Sequence, residues 1–394
     1  MDGNMNHYTA QLRPKVSTQQ LITDPGIPLT FGIEVECYVV LDLNVMFAVP
    51  DVHSLYSDFY SADFIHQMPH LEQPATVADF EVRGIELVSR PMPVPSVAPG
   101  IIPAKQPQMQ EIGNYLKILS GMQEPRPSHA AFADDTCGLH IHLGRPGGEL
   151  LPLDVLRHLA YLTFLYEPMI STLHPYYRRP YPSLPGRSYC DSNLTAFQTD
   201  YHTCHRFRNC LIPFDQVRRR IFDPAQGLDS LAWLMGAPVP LDDKGHETMD
   251  EAEGDPCHHT GLCVNDRQDY SYSIPYKLKI VNWQCLTRPD RPNTLEFRQA
   301  AGTVDPDEIA WTVQLYTALV REAERRATDR LGEFSFYEEV FPTDLAMFLT
   351  ILHLPAEAIT YWTRRQVRLQ DEAVMLGWRE DSLVPRQVCQ QYSF

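Results

Sequence analysis

Glu34 and Glu36 stand two residues apart in Phe31-Gly32-Ile33-Glu34-Val35-Glu36. In an extended strand alternate side chains share a face, so both carboxylates project to one side and Ile33 and Val35 to the other. Two like charges at that spacing repel unless cations or bases lie between them. Hard oxygen donors in this arrangement suit a divalent cation such as magnesium or manganese. Taken alone, the stretch reads more simply as a half-exposed strand with solvated glutamates.

Three other alternating stretches carry comparable chemistry. In Phe80 to Ser89, Ile85 and Leu87 share a face and Glu86 lies on the other. Glu81 has the opposite parity and would need a bulge at Gly84 to join Glu86, so Glu86 ranks above it. In Cys137-Gly138-Leu139-His140-Ile141-His142-Leu143-Gly144, the two histidines share one face and the leucines and Ile141 the other. In Thr294-Leu295-Glu296-Phe297-Arg298-Gln299, Glu296 and Arg298 share a face, which by itself describes an ordinary surface ion pair. Side by side in a curved antiparallel sheet, the four strands would line one cavity.

The intervening chain supplies the scaffold. Residues 1–26 read as a loosely attached arm, and 27–394 as a single domain with an insertion at about 176–276 and a helical part from about 305. Six prolines between Pro91 and Pro107 make an extended link. Helical spacing follows at Ile112, Tyr115, Leu116 and Leu119. Leu153 to His174 is the longest apolar helix, expected against the sheet, with Glu167 as a helix-end carboxylate. Asp305, Pro306 and Glu308 have the spacing of a capping box at the start of another helix. Two more helices are expected over Asp344 to His353 and Ala356 to Gln370.

The formal net charge of -17 argues against nucleic acid as a partner, because phosphate backbones need a basic surface. No apolar run is long enough to span a bilayer. The polar start and nine cysteines without a regular framework point to a reducing cytoplasm. Cys37 and Cys285 read as small buried apolar residues. Cys257-His258-His259 and Cys263 follow an acidic run, and their spacing fits no common zinc pattern. Neither a G-x-x-x-x-G-K-[ST] nor a G-x-G-x-x-G phosphate loop is present, so a nucleotide would have to bind through metals and arginines.

The ordered set G-[IV]-E-x-E, I-E-L-V-S, C-G-L-H-I-H and T-L-E-F-R-x-x-x-G-T-x-D resembles the amidoligase family, especially its fungal members. That family belongs to the carboxylate–amine ligase superfamily with glutamine synthetase and glutamate–cysteine ligase. The resemblance spans roughly residues 29–325 and is weakest in the insertion. It implies an α+β fold with a curved antiparallel sheet of glutamine-synthetase type flanked by helices. It implies Glu34, Glu36, Glu86, His140 and Glu296 as ligands of Mg2+ or Mn2+. Arg298 would meet ATP phosphates or the activated carboxylate, with Glu296 beside it, and His140, His142 and Asn282 would face the nucleotide. The implied reaction joins a small-molecule carboxylic acid to an amine at the expense of ATP, through an acyl phosphate. A metal-dependent hydrolase and a non-catalytic metabolite-binding relative are the rival readings, and homo-oligomerisation is left open.

Overall fold

The alternating stretches pair into one antiparallel sheet in a computed structural model that describes residues 26–42, 65–67, 80–96, 98, 100–120, 129–180, 190, 192–197, 214–237, 279–288, 291–328 and 342–375. The strands are β1 (Thr30–Asp42), β2 (Ile65–Gln67), β3 (Phe80–Val88), β4 (Met92–Pro93), β5 (His129–Phe132), β6 (Gly138–Gly144), β7 (Val281–Asn282) and β8 (Leu295–Ala301). The sheet is open, with the order β2-β3-β1-β6-β8-β7. β4 and β5 also pair with β1, so this long strand is flanked along both edges.

Seven helices accompany the sheet among the described residues: α1 (Pro107–Leu119), α2 (Leu153–Ser171), α3 (Phe214–Phe222), α4 (Leu228–Gly236), α5 (Pro306–Thr328), α6 (Leu345–Ile351) and α7 (Ala356–Met375). α5 lies against the sheet. Ile309, Val313, Tyr316 and Val320 form its buried stripe, and Tyr316 stacks on Phe297 of β8 with ring centroids 4.3 Å apart. The other inward residues of the sheet, Ile33, Val35, Leu139, Ile141, Leu143 and Leu295, are all buried. Each contributes about 1.5–3 kcal/mol by leaving water. That burial fixes which face of each strand is left for the polar side chains.

Several local expectations are corrected. α2 packs on α5, with α3 and α4 also against it, and reaches β8 at its end through Gln299 Nε2, which donates to Ser171 Oγ at 2.8 Å. Glu167 lies within α2, with Pro168 following it inside the helix, and is fully buried. It accepts from Ser192 Oγ and from Asn193 N at 2.9 Å. Asn193 in turn bonds the backbone of Met235 and Val281, each at 2.8 Å, and Lys279 Nζ donates to Ser192 O at 3.0 Å. Glu167 therefore ties α2 to β7 and to the described parts of the insertion.

Glu308 does not close a capping box. Its carboxylate accepts from Thr303 Oγ1 at 3.3 Å and pairs with Arg365 Nη2 at 2.5 Å, while the Asp305 N–H bonds Thr303 Oγ1 at 3.1 Å. Tyr115 is 43% exposed, because Met109, Ile112, Leu116 and Leu119 already define the buried stripe of α1. β8 runs on through Ala300 and Ala301, and α7 continues past Gln370 to Met375. Residues 1–25 of the arm, the acidic run, and Cys257-His258-His259 with Cys263 lie outside the described residues.

Candidate metal and anion site

Strand register decides which polar side chains meet. Glu36 stands opposite Glu86 and Glu34 opposite His140. His142 stands opposite Glu296, which is also opposite Asn282. Directly opposed residues of an antiparallel pair share a face. Thus β3, β1, β6, β8 and β7 each add a polar group to one surface, opposite the apolar face. The β1–β3 register runs unbroken through Gly84, with no bulge there. β8 carries one extra residue between Phe297 and Ala300 relative to β6, a bulge placed beside Arg298.

Glu34 is the hub. Its Oε2 lies 3.0 Å from His140 Nδ1 and its Oε1 2.9 Å from His142 Nε2. An ionised carboxylate only accepts, so those two ring nitrogens carry hydrogens. In neutral His140 the lone pair then sits on Nε2, 3.9 Å from Glu36 Oε1. His142 Nδ1 lies 3.3 Å from Thr294 Oγ1. Glu36 Oε2 accepts the Gly138 N–H at 2.6 Å. Asn282 Nδ2 donates to Glu296 Oε2 at 2.6 Å, and Arg298 Nη1 pairs with Glu296 Oε1. Arg298 Nε is buried without a hydrogen-bond partner among the described residues.

The charges are strongly coupled. Burial pushes the Glu34 carboxyl up, but the hydrogen bonds and charge of His140 and His142 outweigh it and hold the group well below the usual carboxylate range. Burial likewise opposes ionisation of Glu296, and Arg298 with the two histidines reverses the balance. Burial and Arg298 pull His140 down despite its carboxylate neighbours, whereas Glu34 pushes His142 up against its burial. Burial lowers Arg298, and Glu296 more than restores it. Glu86 is the group left with excess negative charge around it. Burial, Glu34 and Glu36 push its carboxyl up to about 7, although Arg298 pulls the other way.

Two overlapping sets could each hold a cation: Glu34, Glu86 and His140, and Glu34, His142 and Glu296. The donor atoms of each set lie within 4.8 Å of one another. Carboxylate oxygens with one imidazole fit a hard divalent ion. A proton on Glu86 relieves the same repulsion that a cation would. Glu36 belongs to neither set and lies beside them. Asn282 Nδ2 holds Glu296 Oε2, and its own Oδ1 accepts from Gln284 N at 2.9 Å. Cys190 Sγ donates to the carbonyl of Arg298 at 3.1 Å. Cys37 and Cys285 are buried, and burial pushes their thiols up to about 12 and about 11.

One residue at this surface went unrecognised in the sequence. Arg178, in the single turn Tyr176–Arg178 after α2, is buried, and its Nη2 lies beside Gly138. Its only sequence signal is a run rich in tyrosine, arginine and proline.

No protein-family model matches the chain, and no curated protein matches it.

Proposed function

We propose that the chain is an ATP- and Mg2+-dependent carboxylate–amine ligase with a glutamine-synthetase-like catalytic sheet. The observation that carries this reading is the convergence of Glu34, Glu86, Glu296, His140 and His142 on one sheet face, as two cation-holding sets sharing Glu34, beside Arg298 with its buried, unpartnered Nε. Carboxylates without a glycine phosphate loop favour a nucleotide held through metal. The unpartnered Nε favours an anionic ligand, since a buried donor left unpaired costs about 1–3 kcal/mol. The motif order Glu34-x-Glu36, Glu86, His140-x-His142, Glu296-x-Arg298 supports the same class by resemblance.

Glu34, Glu86, Glu296, His140 and His142 would hold the ions, which when bound neutralise triphosphate charge and orient its terminal group. Asn282 keeps Glu296 in one rotamer. Arg298 presents a planar donor edge to the anion that forms. In the reaction a carboxylate oxygen of the acid bonds to the terminal phosphorus as ADP leaves. The amine then bonds to the acyl carbon as inorganic phosphate leaves, carrying that oxygen and taking up the proton that the amine gives up.

Calorimetric titration of ATP with magnesium and with a chelator tests the site. Binding only with magnesium is expected, and equal binding in chelator refutes it. A screen of acids and amines for phosphate release then tests the reaction. Amide hydrolysis without nucleotide would replace the ligase with a hydrolase.

A further inference from the structure

Arg178 donates to one backbone carbonyl, that of Ala300, through both Nε at 3.2 Å and Nη2 at 2.9 Å. Ala300 follows the bulge in β8, beyond the stretch paired with β7. The same Nη2 lies over Gly138. A Cβ built on Gly138 would collide with Arg178 Nη2 and stand only 3.0 Å from both Glu36 Oε2 and His140 Nε2. Three polar groups from three parts of the chain therefore crowd the space that glycine leaves empty. Gly138 lies outside the positive-φ region, so its requirement is for space and not for backbone freedom.

We propose that Arg178 is a positioning residue of this site, its guanidinium passing over Gly138 to hold the Glu36 and His140 end of the cavity in register with β8. The planar fork on Ala300 O fixes the guanidinium. The guanidinium shares the space over Gly138 with Glu36 Oε2 and His140 Nε2, and Glu36, held by the Gly138 N–H, borders the His140 nitrogen that carries the lone pair. This role rests on the metal-site reading above. Outer groups that orient metal ligands typically change metal affinity 10–100-fold when removed.

The test measures Mn2+ affinity of the full chain by calorimetry, with thermal unfolding as the control for folding. Arg178→Lys keeps the charge and loses the fork. Gly138→Ala keeps Arg178 and fills its space. Each should weaken Mn2+ binding about tenfold or more with the chain still folded. The double variant should lose less than the two single losses combined, because each change removes what the other disturbs. If both single variants bind Mn2+ as tightly as wild type, the positioning role is overturned and the ligase reading stands. Arg178→Lys binding normally while Arg178→Gln binds more tightly would show an effect of charge alone, and would also overturn it. Wild-type protein that binds no divalent ion would overturn both readings together.

Discussion

Asn282 and Glu296 face each other across β7 and β8, and Asn282 Nδ2 donates to Glu296 Oε2 at 2.6 Å. Glu296 Oε1 is held from its other side by Arg298. The carboxylate is thus gripped at both oxygens, with His140 Nδ1 3.6 Å from Oε1. A ligand so constrained loses little freedom when a cation binds.

Asn282→Ala removes one grip and leaves the charge count unchanged. Divalent-ion affinity should fall about 10–100-fold. Asn282→Asp should be worse in the absence of metal, since it sets a second carboxylate against Glu296. Calorimetry with Mn2+ and thermal unfolding in chelator check both. Unchanged affinity in Asn282→Ala would show that Glu296 does not need Asn282 to orient it.

Glu296→Gln and Arg298→Lys should fail differently. The first keeps shape and removes a metal-site charge, so added magnesium should partly restore turnover. The second keeps charge and loses the planar fork, so turnover should drop on the order of a hundredfold without rescue. Turnover and nucleotide affinity across a magnesium titration separate them. Near-normal turnover in both would reduce the pair to a structural ion pair.

Glu86 predicts a pH dependence with a definite sign. Its folded-state value is raised to about 7 from the ordinary 4.5, so the folded chain binds the proton more tightly than the unfolded chain. The stabilisation is complete below 4.5 and is lost as pH rises through about 7. In chelator, the melting temperature of wild type should therefore fall relative to Glu86→Gln between about pH 5 and pH 8. Magnesium at the upper end should raise wild type more than the variant. Parallel pH curves would contradict the placement of Glu86 among the other carboxylates.

An acyl phosphate requires that the acid lose an oxygen to phosphate. An acid labelled with oxygen-18 should pass one label to inorganic phosphate. Label recovered in AMP would establish an adenylating route in its place.

Glu167→Ala should destabilise the fold without touching the metal site. It strips the acceptor from Ser192 Oγ and Asn193 N, both buried, at about 1–3 kcal/mol for each donor left unpaired. Removing an exposed carboxylate from the C-terminal end of a helix would cost nothing, because negative charge there opposes the helix dipole. Chemical denaturation, with Mn2+ affinity of the folded variant as the control, distinguishes the two.

The faces of the strands were legible from residue order alone. The pleat has a period of two, so the apolar positions 33 and 35, 139 and 141, 295 and 297 turn Glu34 with Glu36, His140 with His142, and Glu296 with Arg298 the other way wherever each strand lies. The helix α5 was legible for a similar reason, since its apolar stripe and first-turn residues are local. Strand order and register were not. They arise from pairing between segments far apart in the chain, Glu34 with His140 and His142 with Glu296, and only that pairing makes Glu34 the hub and turns Asn282 toward Glu296. Arg178 and Glu167 lay further from view, because an arginine in a turn and a carboxylate in a helix acquire their roles from what folds against them. Sequence spacing carries the periodicity of each element, whereas the packing of elements upon one another decides which charges share a space.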